Sequence, residues 1–273
     1  VHAVHEGYLL DQFAMKYTNH RTDAYGGNFE NRYRFAVEIV KAIKAACGAD
    51  YPVSVRYSAV SKVKDFCYGA LPGETDYTEI GRDMQESEKA ARYLQEAGYD
   101  MLNADNGTYD SWYWAHPPMY FGKGMYLSLV KEVRDCFTKP VLVAGRMDNI
   151  QMAVDAVNSH LIDGVGLGRP LLSDPDYCNK VRSGHPEQIR PCLGCHDGCF
   201  GRLLQSGLGS CAVNPECGRE DTVGIRKAEQ KKKVVIIGGG PAGLEAARGS
   251  ALRGHDGTLL GAKGQLGGGL VVA

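Results

Sequence analysis

The chain has 273 residues, enough for one or two domains with an apolar core. Its formal net charge of −1 excludes the basic face with which a general nucleic-acid binder displaces counterions. No apolar run is long enough to span a bilayer, and residues 1–10 are not a signal peptide, because they lack a basic start and His2, His5 and Glu6 interrupt them.

In chain order, residues 30–48 (ENRYRFAVEIVKAIKAACG) predict a helix and residues 52–58 (PVSVRYS) a strand. Residues 83–98 predict a helix with Ala90, Ala91, Leu94 and Ala97 on one apolar face and Gly98 as its stop. A strand over 99–107, a helix over 127–137, a strand over 140–146, a helix over 149–160 and a strand over 164–170 follow. This alternation implies parallel strands joined by helical crossovers. It amounts to about four βα units, roughly half of a (β/α)8 barrel; an open Rossmann-type sheet is the competing architecture. Arg56, Asn106 and Gly107, Gly145 and Arg146, and Gly168 and Arg169 fall at the C-terminal strand ends, where such barrels carry their sites.

Nine cysteines are present, and five lie between positions 192 and 217. Such clustering reads as metal ligation in a reducing, cytoplasmic compartment rather than as a spread disulfide scaffold. Cys192, Cys195, Cys199 and Cys211 follow the spacing C-x2-C-x3-C-x11-C. Structural zinc usually shows two C-x2-C knuckles, so this spacing favours a [4Fe–4S] cluster, with zinc as the alternative. Cys217 is an alternative fourth ligand, and His196 is set aside as a bystander.

Residues 218–233 are polar and basic, a linker by composition. Residues 233–255 read as strand, glycine turn and helix, with Gly238, Gly240 and Gly243 in a G-x-G-x-x-G pattern that lets backbone approach a pyrophosphate. The acidic residue expected about twenty positions on is missing: Gly261 stands there, and Asp256 comes before the strand's end.

Together the stretches HEGYLLDQF, NHRTDAYGGNFENRYRF, DSWYWAHPPMY, GLGRPLLSDPD, the cysteine array and GGGPAGLEAA resemble, in family order, the iron–sulfur flavoenzymes of the old yellow enzyme superfamily. Among these, 2-enoate reductase looks most similar, followed by the bile-acid-inducible NADH–flavin oxidoreductases; 2,4-dienoyl-CoA reductase belongs to the same group. The resemblance implies an α/β chain made of the C-terminal half of an FMN-binding TIM barrel over 1–185. An iron–sulfur segment and linker over 186–230 and the start of a Rossmann-type FAD-binding domain over 231–273 would follow. The chain is then expected to be a fragment that opens near the end of the fourth barrel strand.

The implied activity is NAD(P)H-dependent reduction of the activated C=C bond of an unsaturated acid or acyl-CoA. Electrons would pass from NADH to FAD, to [4Fe–4S], to FMN and to substrate. A cluster carries one electron at a time and a flavin one or two, so the cluster belongs between two flavins. Alternatives on the same scaffold are desaturation of a bile-acid or steroid CoA ester and amine dehydrogenation; a third is a non-catalytic cluster-bearing fragment. A homo-oligomer is compatible, and neither nucleic acid nor membrane is an expected partner.

By the resemblance, His2 and His5 hold the substrate carbonyl, Tyr8 in the Glu6-Gly7-Tyr8 setting protonates the α-carbon, and His116 assists it. Arg56 faces the flavin ring, and Gly145, Arg146, Gly168 and Arg169 receive the FMN phosphate. Trp112, Tyr113 and Trp114 either wall the substrate pocket or pack in the core.

Overall fold

In the computed structural model, which describes residues 1–3 and 7–271, the chain divides into two compact units, Val1–Asn214 and a second from Pro215 onward. The cysteine array thus belongs to the first unit.

There, α1 (Leu9–Ala14) and α2 (Phe29–Cys47) precede β1 (Ser54–Ser58), and a short hairpin of β2 (Val63–Asp65) and β3 (Tyr68–Gly69) follows. The chain continues through α3 (Met84–Ala97), β4 (Met101–Asp105), α4 (Trp112–Ala115), α5 (Leu127–Cys136), β5 (Val141–Ala144), α6 (Ile150–Asn158) and β6 (Gly164–Gly166). It then enters α7 (Arg169–Ser173), α8 (Tyr177–Arg182) and the single turn α9 (Arg202–Leu204). Local chemistry sets the main boundaries. The side chains of Asn28, Asp83 and Asn149 accept from the N–H groups of Asn31, Glu86 and Met152 and so cap α2, α3 and α6. Gly48 and Gly98 end α2 and α3 at φ of 101° and 120°, a region that glycine enters without steric cost. One predicted element needs correction: the strand expected over 164–170 stops at Gly166. Arg169 instead opens α7, because Pro170 is suited to a first helical turn and cannot donate to a sheet.

The strands β1, β4, β5 and β6 form one parallel sheet in that order, with Tyr57 opposite Ala104, Ala104 opposite Val143 and Val143 opposite Val165. His2 bridges Arg56 in parallel along the remaining edge of β1. Strand order follows chain order without reversal. A doubly wound sheet would reverse around its first strand, so this is the singly wound arrangement of a barrel arc. Val55 and Tyr57, Leu102, and Val141 and Val143 bury one sheet face against Val40, Ala90, Leu94, Val130 and Val133 of the helices. Side chains alternate along a strand, so Arg56 and Asn103 project from the opposite face.

In the second unit, α10 (Glu220–Val223) is a single turn inside the segment read as linker. The strand β7 (Lys233–Ile237) and the helix α11 (Pro241–Leu252) fall where strand, glycine turn and helix are expected over 233–255, and β8 (Asp256–Leu260) pairs in parallel with β7. No helix among the described residues is long and apolar enough to cross a membrane.

Candidate active site

Tyr8 sits directly before α1, and one buried arginine fixes that helix. Arg82 donates to the Asp11 carboxylate, to the Ser58 carbonyl at 2.8 Å and to the Tyr33 hydroxyl at 2.9 Å. It thereby ties α1 to the C-terminal end of β1. Sequence reading did not single out Arg82, and no local pattern could have done so, because Asp11 lies 71 positions away.

The Tyr8 side chain is partly exposed, and its ring meets His2 edge-on at 4.8 Å and Tyr109 at 6.3 Å. Tyr109 stacks on Trp112 at 6.2 Å, Trp112 lies 4.7 Å from His116, and His116 packs against Phe200 at 4.1 Å. His2, Tyr8 and His116 are therefore joined in one aromatic run; His5 and Glu6 lie outside the described residues. Of the three aromatics grouped with His116, Trp112 belongs to this run and Tyr113 is exposed. Trp114 is core, its indole N–H donating to the Ala70 carbonyl at 2.5 Å.

On the sheet face away from the core lies a cavity of about 540 Å³, lined by Arg56, Asn103, His116 and Tyr126 and by the turns that carry Gly145, Arg146, Gly168 and Arg169. Arg56 grips the buried Asp105 carboxylate through two nitrogens, at 2.7 and 2.8 Å. The sequence reading offers the guanidinium groups of Arg146 and Arg169 to a phosphate; the structure gives both groups protein partners. Arg146 donates to the carbonyls of Pro118 and Met119, each at 3.0 Å, and to that of Phe121. Arg169 donates to the Pro117 carbonyl at 2.9 Å and meets the His196 ring. Burial and the Arg169 charge bring His196 down to about 4, so its neutral ring accepts from Arg169. This residue, set aside from sequence, links the cysteine segment to the cavity wall. Gly145 and Gly168, which can offer only backbone, line the cavity beside both arginines.

Cys192, Cys195, Cys199 and Cys211 carry free thiols and line one smaller cavity. Gly198 packs tightly on the backbone at Cys211, with little room for a Cβ, which brings the two arms of the segment together. The Gly194 carbonyl accepts from Met119 N–H at 3.0 Å, docking the segment on the loop that Arg146 holds. Arg169, Leu172, Cys192 and Gly194 line both cavities. Among the described residues no group of three or more His, Cys, Asp or Glu side chains is gathered to hold a single metal ion. Cys217 is buried in the second unit.

In that second unit, Gly238 adopts φ of 104° and Gly240 caps α11. A Cβ at Gly243 would strike the Gly238 carbonyl. Asp256 opens β8, paired with Lys231 at 2.7 Å, and the strand ends at Leu260 with no acidic side chain after it.

The profile of the NADH:flavin oxidoreductase / NADH oxidase family matches residues 1–188. Cinnamate reductase of Clostridium sporogenes is 54% identical over 271 residues, covering 99% of this chain and 41% of that protein. NADH oxidase of Thermoanaerobacter brockii is 38% identical over 100% of this chain and 40% of its own length. Among solved structures, the complex of 2-naphthoyl-CoA reductase with 2-naphthoyl-CoA superimposes at a TM-score of 0.87 and 33% identity, covering 98% of this chain and 39% of that one. The chain thus spans about two-fifths of the length of these relatives.

Proposed function

Because the chain belongs to the NADH:flavin oxidoreductase / NADH oxidase family, we propose that it is the flavin- and iron–sulfur-bearing portion of an NADH-dependent reductase of 2-enoates. The observation that carries this reading is the shared wall between the two cavities, to which Cys192 and Gly194 both contribute. A cluster held by Cys192, Cys195, Cys199 and Cys211 stands directly beside the large cavity, where a one-electron relay is useful. The C-x2-C-x3-C-x11-C spacing favours a polyatomic cluster over a single zinc, which usually takes two C-x2-C knuckles.

The large cavity suits FMN. The turns after β5 and β6 turn backbone toward it beside the charges of Arg146 and Arg169, which favours a phosphate. Arg56 supplies a fixed cation for the electron-rich edge of a flavin ring. In the second unit the bare glycine loop before α11 suits the pyrophosphate of FAD.

The relative that reduces cinnamate supports an α,β-unsaturated acid as substrate. Bound flavin supplies the hydride that reaches the β-carbon. The chain's own side chains provide the rest of the reaction. His2 holds the substrate carbonyl by a hydrogen bond, Tyr109 and Trp112 wall the alkene, and the Tyr8 hydroxyl delivers a proton to the α-carbon. His116, at the far end of the aromatic run, packs on both Trp112 and Phe200 and so holds Trp112 in place.

Stopped-flow kinetics of the two half-reactions in the full-length protein test this. Tyr8→Phe is expected to slow oxidation of the reduced protein by a 2-enoate by about 10²–10⁴-fold, the usual cost of losing a general acid. Reduction by NADH stays at the wild-type rate. An enoate half-reaction at wild-type speed removes Tyr8 from the role of proton donor.

A further inference from the structure

We infer that the Tyr126 hydroxyl donates a hydrogen bond to the ribityl–phosphate chain of the flavin in the large cavity. This rests on the reading of that cavity as a flavin site. Tyr126 is fully buried, its hydroxyl has no hydrogen-bond partner among the described residues, and the residue lines the cavity. Buried phenols nearly always find an acceptor, so a bound molecule is the natural source of this one. Burial pushes the phenol well above its ordinary range; it stays protonated and acts as a donor.

Two contacts place the ring at the phosphate end. Gly145 lies flat against it with no room for a Cβ, and Gly124, two positions before Tyr126, donates its N–H to the Arg146 carbonyl at 3.1 Å. Tyr126 is therefore locked to the turn after β5. A second buried polar atom without a partner among the described residues, Asn103 Oδ1, belongs to the same cavity lining. A donor and an acceptor sharing one cavity match a polyhydroxyl chain, whose hydroxyls both accept and donate.

The experiment compares wild-type and Tyr126→Phe full-length protein, stripped of flavin and titrated with FMN, riboflavin and lumiflavin by fluorescence quenching. FMN affinity should fall about tenfold, the worth of one hydrogen bond to a strongly polar acceptor. Lumiflavin, which has the ring and no chain, should bind both proteins equally. An equal fall for riboflavin puts the acceptor among the ribityl hydroxyls, and an unchanged riboflavin affinity puts it on the phosphate. The flavin-free variant should melt no lower than wild type, because the lost hydroxyl had no partner there. Unchanged FMN affinity, an equal loss for lumiflavin or a lower melting point of the flavin-free variant overturns the assignment. Wild-type protein that binds no FMN overturns instead the flavin reading on which it rests.

Discussion

The two units both place glycines where a parallel strand gives way to a helix, but they build on that element differently. After β5 and β6 each glycine is followed by an arginine, and those arginines are immobilised by the carbonyls of Pro117, Pro118, Met119 and Phe121. After β7 the loop carries no charged side chain, and Gly238, Gly240 and Gly243 offer backbone alone. Burial differs as well. The first unit buries β1, β4 and β5 against helices, whereas in the second Val235, Ile237 and Leu260 remain exposed and only Ile236 of β7 is buried. Apolar residues on both faces of a strand are the pattern of a parallel sheet covered on both sides. The same strand–glycine–helix grammar therefore yields an electrostatic site on a packed scaffold in one unit and a backbone cradle in the other.

The sharpest separation of the two units is through their cofactors. Cys192→Ser in the full-length protein removes a thiol from the wall common to both cavities of the first unit. Iron and sulfide should be lost almost completely while FAD content holds. Metal and sulfide analysis with flavin chromatography reads both, and parallel loss of FAD would break the comparison.

A smaller, thermodynamic separation comes from Arg82. Arg82→Met strands the Asp11 carboxylate in the core and should destabilise the first unit by about 3–5 kcal/mol. In urea unfolding the first unit's transition should move and the second's should stay. Adding Asp11→Asn should restore part of the loss, since the buried charge is then gone; failure to restore it would mean that Arg82 acts through Ser58 and Tyr33 instead.

The smallest effects come from a crossed pair. Arg169→Ala should weaken FMN binding about tenfold and leave FAD binding unchanged. Gly243→Ala, which drives a methyl against the Gly238 carbonyl, should weaken FAD binding about tenfold and leave FMN unchanged. Equal losses of both flavins in either variant would erase the distinction between a charged turn and a bare one.

Much of the fold was legible because its signals are local. Asn28, Asp83 and Asn149 with Gly48 and Gly98 mark helix ends through bonds that span three or four residues, and the four βα units follow from hydrophobic periodicity. The strand expected over 164–170 failed because the apolar residues around Gly166 and Gly168 read equally as strand or turn, and only the entry into α7 at Arg169 resolves them.

Composition and spacing by themselves determined that this chain alternates parallel strands with helices, gathers four thiols in one segment and opens a glycine loop before its last helix. These are properties of neighbouring residues, and neighbours can be read directly. Tertiary structure alone decided that the cysteine cavity shares a wall with the large one, that His196 accepts from Arg169, that Arg82 anchors the helix after Tyr8, and that Tyr126 lines the cavity with a buried hydroxyl unpartnered among the described residues. Each of those depends on which distant segments the parallel sheet brings side by side. A buried arginine or phenol carries no local mark of its partner, because that partner is chosen by packing rather than by position along the chain.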